Sequence, residues 1–114
     1  MATQSDLVTR VLQELSVLVA GETPDAADDT VVDDAIAEVH AELQERQLAY
    51  WDLSAIPESV MRGLTLMVSG NCGRKFVPSM QVAECEAMRE AGMKRIRQVI
   101  AAQADHQPVP QNYF

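Results

Sequence analysis

The amino-acid sequence predicts an all-α fold, a four-helix bundle over residues 1–104 followed by an extended C-terminal arm over residues 105–114. Apolar residues recur every three or four positions in four separate segments, which is the pattern of helices that each bury one face. No segment alternates apolar and polar residues as a half-buried strand does. With 114 residues, 47% of them hydrophobic, the chain is long enough to bury the core of one domain.

The first helix is expected between Ser5 and Gly21. Thr3 or Ser5 can cap its N-terminus, and Gly21 can end it in a left-handed turn. The apolar face consists of Leu7, Val8, Val11, Leu12, Leu15, Leu18 and Val19. Pro24 follows in an acid-rich loop and prevents the helix from continuing.

The second helix is expected from Val31 to Leu48. Thr30 and Asp33 resemble a capping box in which an aspartate takes the place of the usual glutamate. The apolar stripe consists of Val32, Ile36, Val39 and Leu43. The opposite face carries Asp33, Asp34, Glu38, Glu42 and Glu45. Tyr50 and Trp51 follow, and we expect them to pack the next loop against the core.

The third helix is expected to have Pro57 at its first position. The apolar stripe of this helix consists of Val60, Met61, Leu64, Met67, Val68 and Cys72. Gly63, Gly70 and Gly73 lower its helix propensity, and they also let another helix approach closely. Of these glycines, Gly73 is expected near a break.

The fourth helix is expected from Met80 to Ala104, behind Pro78 and a capping Ser79. Its expected apolar face consists of Met80, Val82 or Ala83, Ala87, Ala91, Ile96, Val99 and Ile100.

Charge is distributed unevenly along the chain. The net charge is −8, and twelve of the 17 acidic residues precede Pro57, together with two of the nine basic ones. A protein that binds nucleic acid normally presents a basic face, because contacts to phosphate dominate its affinity. The asymmetry instead allows the acidic half of one subunit to contact the basic half of a neighbour, head to tail. A solvated acidic surface is the alternative interpretation.

Patterns that would indicate an enzyme or a metal site are absent from the sequence. Cys72 and Cys85 have no metal-ligand spacing and are expected to be small buried thiols. His40 and His106 lie far from any nucleophile or matching ligand set. The acids around Asp25 lack the central glycine and terminal glutamate of a calcium loop. We therefore predict a protein without catalytic activity, metal or cofactor.

Several short phrases together resemble the helical head–tail connector proteins, or adaptors, of tailed bacteriophages and gene transfer agents. The segment LVTRVLQELSVLVAGETPDAADD, from Leu7 to Asp29, is similar to the start of that family, including the Leu18–Pro24 phrase that ends in Gly-Glu-Thr-Pro. The aromatic pair after the second helix and the Asp52–Pro57 entry to the third helix are similar as well. The resemblance covers about residues 5 to 78, and the rest of the chain more loosely.

The resemblance implies a structural subunit of the virion, made in the host bacterial cytoplasm. Such subunits form a ring, generally of twelve copies, beneath the portal protein of the filled head. The ring extends the DNA channel and carries the next neck or tail protein, without sequence-specific binding of DNA or contact with a membrane. The C-terminal arm docks on the portal. By this resemblance the docking residues are Pro108, Val109, Pro110, Gln111, Asn112, Tyr113 and Phe114.

Prolines favour an extended arm, and aromatic residues are enriched at the centres of interfaces, so the composition of the arm suits docking. An arm that folds back on its own bundle, or that is disordered, is the alternative. We expect inter-subunit contacts to join Glu38 or Glu42 to Arg95 or Arg97 of a neighbour. The channel is expected to be lined by acids that repel DNA, and the candidates are Asp28, Asp29, Asp33 and Asp34.

A small DNA-binding regulator is the alternative function, because four helices can include a helix-turn-helix. Its recognition helix would have to be the fourth, which carries Arg89, Lys94, Arg95 and Arg97.

Overall fold

A computed structural model describes residues 2–19 and 22–105, and over these residues the fold is all-α. The four helices are α1 (Gln4–Glu14), α2 (Ala26–Glu45), α3 (Glu58–Phe76) and α4 (Val82–Asp105). The predicted bundle of four helices is therefore confirmed. The predicted arm beyond residue 105 lies outside the described residues, and the docking residues 108–114 lie there too.

Helix α1 begins with a capping box, and its N-cap is one of the two residues that were predicted to cap it. Thr3 is the N-cap: the Asp6 backbone N–H donates to its hydroxyl at 3.3 Å, and the Thr3 backbone N–H donates to the Asp6 carboxylate at 2.9 Å. These two bonds satisfy backbone donors that have no partner within the helix. The Thr3 backbone N–H, together with the Thr3 hydroxyl that donates to the same carboxylate at 3.2 Å, holds the pKa of the Asp6 carboxyl below its ordinary value of 3.8.

Helix α1 ends at Glu14, so the prediction that it continues to Gly21 was wrong. Ser16 takes a left-handed conformation with a φ of 61°. The backbone N–H of Ser16 donates to Gln13 O at 3.0 Å, and that of Val17 donates to Leu12 O at 2.9 Å. These bonds form a Schellman motif, in which the left-handed position is usually a glycine.

A Schellman motif also ends α2, where Gln47 has a φ of 60°. The N–H groups of Gln47 and Leu48 donate to Gln44 O and Leu43 O at 3.0 and 2.8 Å. Both turns direct an apolar residue back toward the bundle: Leu18 is buried, and Leu48 packs against the core. Two hydrogen bonds and this burial offset the cost of left-handed backbone at a residue other than glycine.

Helix α2 begins five residues before the predicted start, with Asp25 in the N-cap position. Thr30 lies inside the helix, where its hydroxyl donates to Ala26 O at 3.1 Å, so the predicted capping role of Thr30 was wrong. Asp28 and Asp29 fall in the first turn, where the helix dipole favours negative charge.

Helix α3 is the central element of the fold, and eleven of its 19 residues are buried. Pro57 precedes the first helical residue instead of occupying it. Gly73 does not mark a break, because α3 continues to Phe76. The helices α1, α2 and α3 share a continuous core, which the loop before α3 closes with Trp51 and Ile56.

Helix α4 packs its backbone on α3 alone, as the second arm of an antiparallel hairpin. No Cα atom of α4 lies within 8 Å of a described Cα atom in α1 or α2. A Cβ atom built on Gly92 would lie 2.5 Å from Gly63 O, and one built on Gly70 would lie 2.6 Å from Cys85 O. Close helix approach at Gly63 and Gly70 is thereby confirmed.

The predicted start and apolar face of α4 were partly wrong. The helix begins at Val82, so Ser79 does not cap it. Val82, Ala83, Ala87 and Ala91 are exposed, whereas Cys85, Gly92 and Ile96 are buried against α3. The predicted face is correct at its C-terminal end, where Ile96 is buried and Val99 and Ile100 are partly buried against the core. Nearer the N-terminus of α4 the residues that face α3 are small, because α3 presents glycines to them.

Candidate functional site

A groove of about 630 Å³ separates α2 from α4. The backbone of α4 packs only on α3, so α2 and α4 meet through side chains alone. Met67 of α3 and Met93 of α4 form the apolar part of the lining. The remaining lining residues are Glu42, Arg46, Glu86, Arg89, Glu90, Lys94, Arg97, Gln98 and Ala101.

An ion pair links the two sides of the groove. The Arg89 guanidinium donates from Nη2 to both carboxylate oxygens of Glu42, at 2.8 and 3.0 Å. It also donates from Nη1 to the side-chain oxygen of Asn71 on α3. A second arginine, Arg46, lies 3.8 Å from Glu42 one helical turn further along α2. Since these side chains are only partly buried, the cluster orders one end of the groove more than it stabilises the fold.

Charge changes sign along the α4 side of the groove. Glu86 and Glu90 lie toward the N-terminus of α4, and Lys94 and Arg97 lie toward its C-terminus. These four residues are spaced three or four positions apart and form one stripe on the helix. The stripe therefore has an acidic end and a basic end, with Met93 beside its middle, while Arg89, which lies among the acids, is paired with Glu42.

A hydrogen bond links the C-terminal part of α4 to the loop that follows α2. The side-chain amide of Gln103 donates to the hydroxyl of Tyr50 at 2.9 Å. Tyr50 is 56% exposed, so the expectation that both aromatic residues pack into the core holds only for Trp51. The two rings meet edge to face, with centroids 5.1 Å apart.

The candidate channel residues lie on the first half of α2. Asp28, Asp29 and Asp33 are half-buried, and Asp34 is exposed. Asp33 accepts a hydrogen bond of 2.9 Å from the side-chain amide of Gln4 on α1. The four carboxylates therefore do not form one open surface: three lie close to the bundle and one faces solvent.

The candidate inter-subunit residues also differ in how accessible they are to solvent. Glu38, Arg95 and Arg97 are exposed, whereas Glu42 is held by Arg89 of its own chain. Glu38 is therefore more accessible to a neighbouring subunit than Glu42. The groove itself was not predicted from the sequence, because it depends on which helices fail to pack together.

Of the residues considered for catalysis or metal binding, His106 lies outside the described residues, and Cys72, Cys85 and His40 occupy structural positions. Cys72 and Cys85 are buried free thiols, as expected, and burial raises the pKa of Cys72 to about 11. The ring of His40 lies beside that of Trp51, with the two ring centroids 6.3 Å apart. Among the described residues, no group of three histidine, cysteine or acidic side chains is placed to hold a metal ion. No helix in that part of the chain is long and apolar enough to cross a membrane.

Comparison with known proteins found no matching family model, no similar curated protein and no similar solved structure.

Proposed function

We propose that this chain is a structural adaptor subunit, without catalytic activity, that forms a ring beneath a bacteriophage portal. The ring, of twelve copies as in the proteins that the sequence resembles, connects the filled head to the neck or tail and extends the DNA channel. Its partners are the portal, neighbouring copies of the chain and the next neck or tail protein. The place of action is the head–tail interface of the virion.

One structural observation supports this proposal beyond the resemblance of the sequence phrases. The exposed acids Asp34, Glu38 and Glu45 lie on α2, and the exposed bases Lys94, Arg95 and Arg97 lie on α4, whose backbone does not pack on α2. Charges so separated are better placed to attract a second subunit than to neutralise each other within one chain. A head-to-tail contact of this kind repeats around a closed ring.

The contact that we propose joins Glu38 of one subunit to Arg95 of the next. Both residues are exposed, and Glu42 is the weaker candidate because Arg89 already holds it. Glu38→Arg and Arg95→Glu should each reduce ring assembly on the portal, and the two changes combined should restore it. Unchanged assembly in each single variant would contradict this contact.

The DNA-binding alternative has less support from the geometry. In a helix-turn-helix the two helices cross at about 90–120°, whereas α3 and α4 run antiparallel along their length. The bases of α4 also share the helix with the exposed acids Glu84, Glu86 and Glu90, which repel phosphate.

The decisive experiment is co-sedimentation with the portal ring encoded by the same genome. The full chain should bind, and a chain ending at Gln107 should not, because it lacks the proposed docking residues. Equal binding of both chains would contradict docking by the arm and leave the adaptor function supported. If neither chain binds, the adaptor function is wrong. Binding of duplex DNA at low salt, with a steep salt dependence, would then identify a regulator.

A further inference from the structure

We propose that the groove between α2 and α4 binds α4 of a second copy of this chain, in an antiparallel arrangement with two-fold symmetry. The pairing concerns the free chain and does not depend on the portal or on the adaptor function.

The first argument is charge complementarity between α4 and a second, antiparallel copy of α4. The stripe that lines the groove carries Glu86 and Glu90 in its first half and Lys94 and Arg97 in its second half. Two such stripes placed antiparallel bring the acidic half of each helix against the basic half of the other. A parallel arrangement would instead place like charges together at both ends, which is unfavourable.

The second argument is the position of the apolar residue. Glu90 and Arg97 lie seven positions apart, so pairing each with the other in the second copy centres the two-fold axis between Met93 and Lys94. Met93, half-buried in the groove, then meets the second copy near this axis, and Lys94 lies beside it, one helical turn from Glu90 of the second copy, with which it can pair. A flexible thioether adapts to such a contact better than a branched side chain does.

The third argument is the shape and the other side of the groove. Its lining residues on α4 extend from Glu86 to Ala101, about 22 Å at 1.5 Å per residue, which is four turns of a partner helix. Arg46, the C-cap residue of α2, lies on the same surface. Its side chain is 52% exposed although it lies 3.8 Å from Glu42, so it adds positive charge for the acids of the incoming helix.

The two-fold symmetry makes a specific prediction for charge-reversal variants. Glu90→Lys places two like-charge pairs in its own dimer, and Arg97→Glu does the same with opposite sign. Each variant alone should raise the dimer dissociation constant at least tenfold. Mixing the two variants should give a heterodimer of nearly wild-type affinity. In that heterodimer the introduced lysine faces the introduced glutamate, and the second pair keeps its original residues.

Matched controls are available on the same helix. Glu84 and Arg95 are exposed residues of α4 that do not line the groove. Glu84→Lys and Arg95→Glu introduce the same changes of charge and should leave the dissociation constant within a factor of two. A cysteine at position 93, Met93→Cys, should form an intermolecular disulfide under mild oxidation, whereas Ala91→Cys on the exposed face should not.

The measurement is sedimentation equilibrium of the free chain and its variants over a wide range of concentration. The expected result is a monomer–dimer equilibrium that is weakened by Glu90→Lys and by Arg97→Glu, and recovered in their mixture. A wild-type chain that stays monomeric at all concentrations would overturn the proposal. It would equally be overturned by assembly that responds to Arg95→Glu as strongly as to Arg97→Glu, or by a mixture that fails to associate. None of these outcomes bears on portal binding, which is tested separately.

Discussion

The two halves of this fold bury their residues in different ways. The helices α1, α2 and α3 enclose large apolar side chains, of which Leu7, Leu12, Leu43 and Met61 are fully buried. Helix α4 is longer, at 24 residues, but only Cys85, Gly92 and Ile96 of its described side chains and glycines are buried. The unit of α1, α2 and α3, here called the three-helix unit, is thus stabilised by the packing of large side chains. Helix α4 packs on that unit mainly through the close approach of its backbone to α3.

This difference explains why the groove and the exposed bases lie on α4. A helix that packs on one neighbour leaves most of its circumference available for contacts with other molecules. The residues that can serve assembly are therefore concentrated on the helix that contributes least to the core. The residues that stabilise the fold lie mainly in α1, α2 and α3, and those available for interaction lie mainly on α4. Helix α3 contacts both groups.

The largest expected effect on stability tests whether α4 unfolds separately from the unit formed by α1, α2 and α3. Leu43 and Ile96 are both fully buried, one inside the three-helix unit and one between α3 and α4. Leu43→Ala should lower the free energy of unfolding by about 3 kcal/mol, because it removes apolar contacts and leaves a cavity. Hydrogen exchange should then accelerate in all four helices.

Ile96→Ala is the matched variant, and it should accelerate exchange in α4 more than in α1. The physical reason is that the backbone of α4 packs on neither α1 nor α2, and the partly exposed Arg89–Glu42 pair is a weak tether once the main apolar anchor is lost. Equal acceleration in α1 and α4 would show instead that the four helices open as one unit.

A smaller effect is expected where backbones approach each other. A Cβ atom on Gly92 would lie within 3 Å of two backbone atoms, Gly63 O and Met67 N. Gly92→Ala should therefore push α4 away from α3 and lower the free energy of unfolding by about 2 kcal/mol, as measured by denaturant unfolding.

Gly73→Ala is the control for that substitution. Its Cβ would meet the sulfur of Met80 at 2.8 Å, and this flexible side chain can move aside. Alanine also has the higher helix propensity, by about 1 kcal/mol. Unchanged or increased stability is expected here, and a loss equal to that of Gly92→Ala would refute the distinction between the two sites.

The apolar periodicity predicts the three-helix unit better than it predicts α4. In α3 the stripe from Val60 to Cys72 is buried as expected, because these side chains are large and their spacing is unambiguous. In α4 the alanines suggested a face that the structure leaves in solvent. Burying the single methyl group of an alanine gains little free energy, so alanines define a helix face poorly.

Helix ends were the least predictable local feature. Ser16 and Gln47 adopt left-handed backbone that the sequence assigns first to glycine, and nothing in their side chains indicates it. The turns form because the leucines that follow gain burial, which only the assembled bundle determines. The groove was unpredictable for the same reason, and docking by the arm remains a prediction.

The smallest expected effect concerns the start of the three-helix unit. Hydrogen bonds from Thr3 stabilise the Asp6 carboxylate and hold its pKa below the ordinary value of 3.8, so the charged form stabilises the folded state. This contribution should be complete above that ordinary value and disappear as the pH falls through the lower pKa of the folded state. Asp6→Asn should therefore be less stable than the wild type at neutral pH, with a gap that narrows in acid. Thermal unfolding between pH 2 and pH 7 measures this gap. A gap that stays constant with pH would mean that the substitution acts on the helix through propensity and not through the charge of the cap.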